Sequence, residues 1–309
     1  MQARGSGSEG RLGDWFFALT PLHAMVLNRI LLGGVLFLHA ASRLPEFDVV
    51  YGGESGAWLA PYREFVDIAL APQLALPLLP AVSALAGLAP PVRDLLVQGL
   101  YAALLMTSLA FLLGYRTRPT GCAAVVLHLF FLCVHPLADW SWAQMIVPFA
   151  LCVVLSRSGD AVSIDAWRRR RRGEPALPRM APAWPMRLLQ VHVAAMYFHA
   201  GFARIDDPAW LNGEVLFEAL SHAVFARFAL DWYAWKAVLI PFAYVAFVLE
   251  PVAAFALWVP RLRTACALAL LAMHATLELL TNVGWWNFVM AGGVACFLPT
   301  AWLARLLPR

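Results

Sequence analysis

Ionisable side chains that fall inside long apolar stretches are the first candidates for chemistry in this sequence. An ionisable group near the centre of a bilayer costs about 2.5–3.5 kcal/mol, so such groups are usually paired or mark a functional site. Four apolar stretches carry groups of this kind: Arg29 in the first; His192, His199 and Arg204 in the fifth; Glu250 in the sixth; and His274 and Glu278 in the seventh.

One predicted cluster combines His199, Arg204, His274 and Glu278 at similar depth. Glu278 follows His274 by four residues, so the two share a helix face. The cluster would line a polar pocket in which the histidines and the glutamate act as acids or bases and the arginine stabilises an anion. A structural alternative is hydrogen bonding between helices, which is the commoner role of a histidine inside a membrane. No metal site is predicted, because the histidines lack metal-ligand spacing and the five cysteines lie inside apolar stretches without a CxxC pair.

A second predicted pair is Arg29 with Glu250. Each residue lies about 12 Å, or eight helical residues, from the predicted inner end of its helix. An ion pair between them is the economical hypothesis, because each would otherwise be an unpaired charge in hydrocarbon.

The elements that must position these residues are membrane-spanning helices. Of 309 residues, 61% are hydrophobic and only 14% are charged, whereas soluble domains carry about 25% charged residues. We therefore predict an all-α polytopic transmembrane bundle, with helices because they satisfy their own backbone in lipid. Eight spans are predicted at 21–44, 94–114, 120–137, 141–156, 186–205, 236–258, 262–281 and 284–304.

The segments outside these spans predict the orientation. Residues 1–20 are expected to form a flexible cytoplasmic tail before a single domain at 21–305, and the proline-rich stretch 61–91 is expected to form a re-entrant or capping segment. With the N-terminus inside, 16 basic residues lie on the cytoplasmic side and six on the other. This asymmetry predicts that both termini are cytoplasmic, and we expect the chain to lie in the plasma (bacterial inner) membrane. The basic run 168–172 is either a topology anchor or a patch for anionic membrane lipid, and the loop placement of basic residues argues against nucleic acid as a partner.

A series of short motifs resembles the HTTM (horizontally transferred transmembrane) family, whose domain is shared with vitamin K-dependent γ-glutamyl carboxylase. The main motif runs from Tyr197 to Gly213 and includes Gly201, Asp206 and Trp210. Others follow in the order of the family: Asn28-Arg29-Ile30, Arg43-Leu-Pro45, Tyr51, the stretch 158–167, Leu249-Glu250, His274 and the stretch 283–290.

This resemblance implies a carboxylase-like scaffold that acts in the outer half of the membrane on a lipid-soluble cofactor, such as a quinone or vitamin K-like hydroquinone, or on an exported peptide. The family's base lysine corresponds to Arg204 here. Arginine stays protonated and cannot act as a general base, so Arg204 would stabilise an anion and glutamyl carboxylation is not carried over. The stretch 139–142 also lacks the carboxylase histidine. Two alternatives stay open: a non-catalytic factor for the maturation or export of a secreted peptide, and a proton-coupled carrier.

Overall fold

The computed structural model describes residues 9–53, 55–70, 78–138 and 141–307, and these are mainly α-helical. The chain divides into two compact units. We call residues 28–179 the central unit, and residues 1–27 together with 180–309 the terminal unit. The first eight residues of the predicted tail, residues 71–77 of the proline-rich segment and residues 139 and 140 of the stretch 139–142 lie outside the described residues.

Long helices separated by short turns make up the central unit. Helix α2 begins at His23 in the terminal unit and continues into the central one. The helices are α2 (His23–Ser42), α3 (Phe47–Val50), α4 (Ala60–Phe65), α5 (Leu79–Ala86), α6 (Pro90–Leu113), α7 (Thr117–Val134), α8 (Ser141–Leu155) and α9 (Ile164–Arg171). Single 3-10 turns lie at Leu44–Glu46, Gly56–Trp58 and Ser158–Asp160, and a π-helical turn at Val66–Leu70.

Close backbone contacts hold the central helices together. A Cβ atom added to Gly33 in α2 would lie 2.8 Å from the Cα atom of Leu112 in α6, so a glycine is required at this crossing. Nearer the other end of the same pair, the Tyr101 hydroxyl donates to the Ala40 carbonyl at 2.7 Å. Tyr101 belongs to a buried aromatic cluster with Tyr51 and Phe131.

The proline-rich segment forms short helices in its described part. Pro61 stands in the first turn of α4 and Pro80 in the first turn of α5, where a missing N–H is tolerated. The expected interruption of helical structure is therefore present. Whether the segment re-enters or caps the membrane stays a prediction.

The terminal unit is also helical, with one small sheet. Its elements are α1 (Glu9–Phe17), β1 (Leu19–Pro21), β2 (Met180–Pro182), α10 (Trp184–Ala203), α11 (Pro208–Leu211), α12 (Val215–Ser221), a 3-10 turn (Trp232–Trp235), α13 (Lys236–Ala256), α14 (Pro260–Leu280), α15 (Trp286–Ala295) and α16 (Thr300–Leu306). Strands β1 and β2 are antiparallel, with Thr20 opposite Ala181. The predicted tail, residues 1–20, therefore contains helix α1 and the first two residues of strand β1. The Trp15 side chain has partners to pack on, because the Arg187 guanidinium lies 4.7 Å over its ring.

Helices α10 and α13 cross closely, and the crossing depends on a glycine. A Cβ atom at Gly201 would lie 2.5 Å from the Cβ atom of Pro251. Helix α14 packs on α13, and α15 packs on both α14 and α10. This arrangement brings side chains of α10, α14 and α15 to one buried place.

Within the described residues, five helices are long and apolar enough to cross a membrane: 23–50, 90–113, 117–134, 232–256 and 260–280. Each covers most or all of a predicted span, which agrees with an all-α polytopic bundle. The predicted eighth span, 284–304, is wrong as one continuous helix, because α15 ends at Ala295 and Pro299 precedes α16. Proline cannot donate the backbone hydrogen bond that a continuing helix needs.

Candidate functional site

A buried tyrosine and a buried histidine form the centre of the site. The Tyr197 hydroxyl on α10 lies 2.9 Å from Nε2 of His274 on α14. Tyr197 is 2% exposed and His274 is 3% exposed. Two polar side chains so deeply buried need each other's hydrogen-bonding capacity.

Asn287 of α15 fixes the direction of this hydrogen bond. Its Oδ1 atom lies 2.9 Å from Nδ1 of His274, and its Nδ2 group donates to Oε2 of Glu278 at 3.2 Å. Since a carboxylate accepts only, the amide nitrogen faces Glu278 and the amide oxygen faces His274. Nδ1 therefore carries a proton, and in the neutral ring Nε2 would accept from the Tyr197 hydroxyl.

Arg227 completes the series at the surface of the terminal unit. Its NH2 group donates to Oε1 of Glu278 at 2.8 Å and to the Thr281 carbonyl at 3.1 Å. The side chains of Glu278 and Arg227 are 25% and 42% exposed. A continuous hydrogen-bond series thus runs from Tyr197 through His274, Asn287 and Glu278 to Arg227. We call it the Tyr197–Arg227 series.

A second charged group lies beside this series. Arg204, the residue that follows the last turn of α10, forms a salt bridge with Glu250 of α13. Its guanidinium also lies 4.0 Å from the centroid of the Trp210 ring. Glu250 in turn interacts electrostatically with Tyr197. Arg204 is partly exposed, so its guanidinium edge is able to meet an anion.

The predicted Arg29–Glu250 ion pair would join residues of the two units, and the structure gives each of them a partner within its own unit. Glu250 binds Arg204, and Arg29 donates from NH2 to the Val162 carbonyl in the central unit. Equal depth along two helices was the basis of the prediction. Arg204 reaches Glu250 because Gly201 lets α10 approach α13 closely.

His199 is a predicted site residue that the structure separates from the others. It follows Tyr197 by two residues, so it lies about 200° away around the helix. The residue is exposed, while Tyr197 is buried. His199 therefore does not lie with His274 and Glu278, and the predicted cluster of His199 with these two residues is wrong.

The remaining motif residues shape the turn after α10. Asp206 is exposed. Gly213 has a φ of +72°, and a Cβ atom there would lie 2.9 Å from the rings or methyl groups of Ile240 and Tyr244. A residue with positive φ and no room for a side chain must be glycine. The turn then presents Trp210 to Arg204.

An aromatic pocket of about 640 Å³ lies next to the exposed end of the Tyr197–Arg227 series. Phe217, Phe228, Trp232 and Tyr233 provide aromatic walls, and Asp231 is also at its surface. Arg227 stands between Ala226 and Phe228, which both line the pocket. The volume lies in the range of about 300–1,000 Å³ that is typical of small-molecule sites.

The central unit has a polar cluster of its own that joins two helices. Arg63 of α4 donates to the carbonyls of Cys133 and Val134 at 3.2 Å and 2.6 Å. The Tyr62 hydroxyl lies 3.1 Å from Nδ1 of His135. Burial raises the pKa of Tyr62 and lowers the pKa of Arg63. These contacts occupy the C-terminal carbonyls of α7, so the cluster is structural.

Sequence reasoning missed Asn287 and Arg227 as members of the site. Asn287 lies inside the stretch 283–290 that carried the family resemblance, but its contact with His274 depends on how α15 packs against α14. Arg227 is one of the six basic residues that the charge count places outside the cytoplasm, and nothing in its spacing linked it to Glu278. No group of three or more potential metal ligands occurs among the residues described in the structure.

One protein-family model matches the chain. The HTTM domain model matches residues 83–302. The chain belongs to the HTTM family. This match covers most of the chain, including Tyr197, His274 and Asn287. No curated protein and no solved structure matches the chain. With its long apolar helices, this HTTM protein is an integral membrane protein.

Proposed function

We propose that this HTTM protein is a membrane enzyme that carries out acid–base chemistry on a lipid-soluble molecule bound in its aromatic pocket. The observation that supports the proposal most strongly is the Tyr197–Arg227 series. It ties a buried tyrosine–histidine pair to the partly exposed Glu278 and to Arg227, whose chain neighbours Ala226 and Phe228 line a pocket of about 640 Å³. In the predicted orientation, this end of the unit faces the outer half of the membrane.

Glu278 is the residue that would exchange a proton with the bound molecule. One of its oxygens accepts from Arg227 and the other from Asn287, so the carboxylate is fixed at two points. Arg227 would stabilise negative charge that develops on the substrate. Asn287 is a positioning residue because it donates to Glu278, and His274 and Tyr197 position Asn287 in turn. Arg204, beside Trp210, is available as a second anion-binding group.

The resemblance to the carboxylase implies a quinone or vitamin K-like hydroquinone, and the residues of the pocket fit such a group. Aromatic walls suit a flat ring, and a small number of polar groups at the edge would orient it. Phe217, Phe228 and Trp232 would hold the ring. When bound, a hydroquinone would supply ionisable hydroxyl groups. An exported peptide is the other substrate class that the family resemblance supports.

A second candidate function is that of a non-catalytic factor in the maturation or export of a secreted peptide. One observation favours it: Arg204, at the position of the carboxylase lysine, is held by Glu250 and Trp210. An arginine that is held in this way and cannot lose its proton is a structural element as well as an anion-binding one. Such a factor would need a partner surface and would tolerate changes in the aromatic pocket.

Mass spectrometry of lipid-soluble small molecules that copurify with the detergent-extracted protein tests the proposal. The variant Phe228→Ala removes one wall of the pocket, and Phe242→Ala is the matched control, because it removes an exposed phenylalanine of α13 that does not line the pocket. We expect a quinone or related aromatic lipid in the wild type and in Phe242→Ala, and its loss from Phe228→Ala. His274→Ala should also lose it, because Glu278 and Arg227 are then no longer held in place.

Two outcomes would count against the enzyme. If no preparation carries such a molecule, the carboxylase-like chemistry loses its premise and the non-catalytic factor becomes the better account. If Phe228→Ala and His274→Ala both retain the molecule at the wild-type level, it is bound elsewhere.

A further inference from the structure

A groove on the central unit is lined almost entirely by apolar side chains. It has a volume of about 370 Å³, and its lining includes Ile30 of α2, Leu112 and Leu113 of α6, and Ile164 and Trp167 of α9. We call it the Trp167 groove. Leu113 and Trp167 are 46% and 48% exposed, so the groove opens to the outside of the unit. It involves neither the aromatic pocket nor the Tyr197–Arg227 series.

Two arginines near the Trp167 groove lie over aromatic rings. The guanidinium of Arg171 lies 4.7 Å from the centroid of the Trp167 ring, and that of Arg168 lies 4.7 Å from the Tyr115 ring. Stacking on a ring leaves the N–H groups at the edge of a guanidinium free to bind phosphate.

Their neighbours in the basic run are engaged differently. Arg169 pairs with Asp160, and Arg172 pairs with Glu174. Arg168 and Arg171 form no ion pair with another residue in the described part of the chain. Arg170 likewise forms no ion pair in the described part of the chain, so Arg168 and Arg171 are set apart by combining an aromatic partner with the lack of a carboxylate one.

A third positive charge lies beneath the Trp167 groove. Arg29 is fully buried and donates from NH2 to the carbonyl of Val162, a residue of the groove lining. Its Nε and NH1 atoms have no hydrogen-bond partner within the described ranges, and Asp165 is the carboxylate that interacts with it electrostatically. A buried cation beneath the lining adds to the positive potential of the groove.

We propose that the Trp167 groove binds one anionic phospholipid. An acyl chain would lie on the apolar lining, and the phosphate would be bound by Arg168 and Arg171. The combination of an apolar groove with unpaired cations at its edge fits an anionic lipid and not a zwitterionic one, whose choline or ethanolamine group the arginines would repel. In the predicted orientation the site faces the cytoplasmic leaflet, and the proposal is independent of the proposed function.

Native mass spectrometry of the full chain in detergent, titrated with phosphatidylglycerol or phosphatidylcholine, tests this site. The wild type should retain phosphatidylglycerol in preference to phosphatidylcholine. The variant Arg168→Gln with Arg171→Gln should bind phosphatidylglycerol about 30-fold more weakly, since each arginine near an anionic lipid surface contributes about a fivefold factor. Leu113→Trp should also weaken binding, because it fills the groove and leaves the charge unchanged.

The matched control is Arg261→Gln with Arg305→Gln, which removes two exposed arginines of the terminal unit. It should bind phosphatidylglycerol like the wild type. Equal losses in the two double variants would show a general charge effect and overturn the site. Unchanged binding in Leu113→Trp, or displacement of the lipid by excess inorganic phosphate, would mean that an anion alone is bound. A wild type without preference between the lipids would refute the proposal outright.

Discussion

The amide oxygen of Asn287 lies 2.9 Å from Nδ1 of His274, and this contact orders the polar interior of the terminal unit. The amide nitrogen of the same residue donates to Glu278. Asn287 therefore couples a buried imidazole to a partly exposed carboxylate, and it sets which imidazole nitrogen carries the proton. An amide suits this place because it donates on one side and accepts on the other.

Replacing Asn287 by leucine should destabilise the protein. The change removes the acceptor of the His274 Nδ1–H group at a position that is 3% exposed. A buried donor left without a partner costs about 1–3 kcal/mol. Thermal unfolding in detergent measures the effect. Asn282→Leu is the control, because Asn282 is exposed; equal melting temperatures for the two variants would show that the Asn287 contact contributes nothing.

A double-mutant cycle should detect the salt bridge between Arg204 and Glu250. Arg204→Gln and Glu250→Gln each leave a charge without its partner, whereas the double variant removes both charges. We expect a coupling energy of about 0.5–3 kcal/mol in the free energy of unfolding. The control cycle pairs Arg204→Gln with Glu218→Gln, an exposed residue of α12. Its effects should add to within about 0.5 kcal/mol, and additivity in both cycles would argue against the salt bridge.

Gly201→Ala should weaken the crossing of α10 and α13. The new Cβ atom would lie 2.5 Å from the Cβ atom of Pro251, and a proline ring is too rigid to move aside. Overpacking of this kind costs about 1–3 kcal/mol. Gly99→Ala is the opposite control, since no atom lies within 4 Å of a Cβ atom at Gly99, inside α6. That variant should gain about 0.5–1 kcal/mol from helix propensity. A Gly201→Ala protein as stable as the wild type would contradict the close crossing.

The fold class followed from the sequence because apolar length is a local property. Runs such as 94–114 and 262–281 are long enough to cross a bilayer whatever lies beside them, and α6 and α14 cover them. The break within 284–304 was less visible, since Pro299 stands near the end of an otherwise apolar run. The helix of residues 9–17 was not predicted, and its Trp15 packs against Arg187, a residue far away in the sequence.

The site was predicted only in part, because partners depend on which helices are neighbours. The spacing of His274 and Glu278 was enough to place them on one helix face. The contacts of Asn287 with both residues were not predicted. Depth suggested Arg29 as the partner of Glu250, whereas Glu250 forms its salt bridge with Arg204, at the end of a helix that Gly201 brings near. His199 matched His274 in depth but lies on the wrong face of α10. The sequence encodes the depth of a residue in the membrane. The rotation of each helix about its axis, and which helices lie next to each other, are set by packing.

The protonation of His274 tests the account of the site most directly. Nitrogen-15 NMR of histidine-labelled protein in lipid bilayers reports the state of each imidazole nitrogen, and the variant His274→Ala identifies the resonances of this residue. We predict a neutral ring with the proton on Nδ1 and a hydrogen-bonded, unprotonated Nε2, and we predict that Asn287→Leu alters the Nδ1 signal. A ring protonated on Nε2 alone would contradict the direction of the Tyr197–Arg227 series and, with it, the proposed acid–base site.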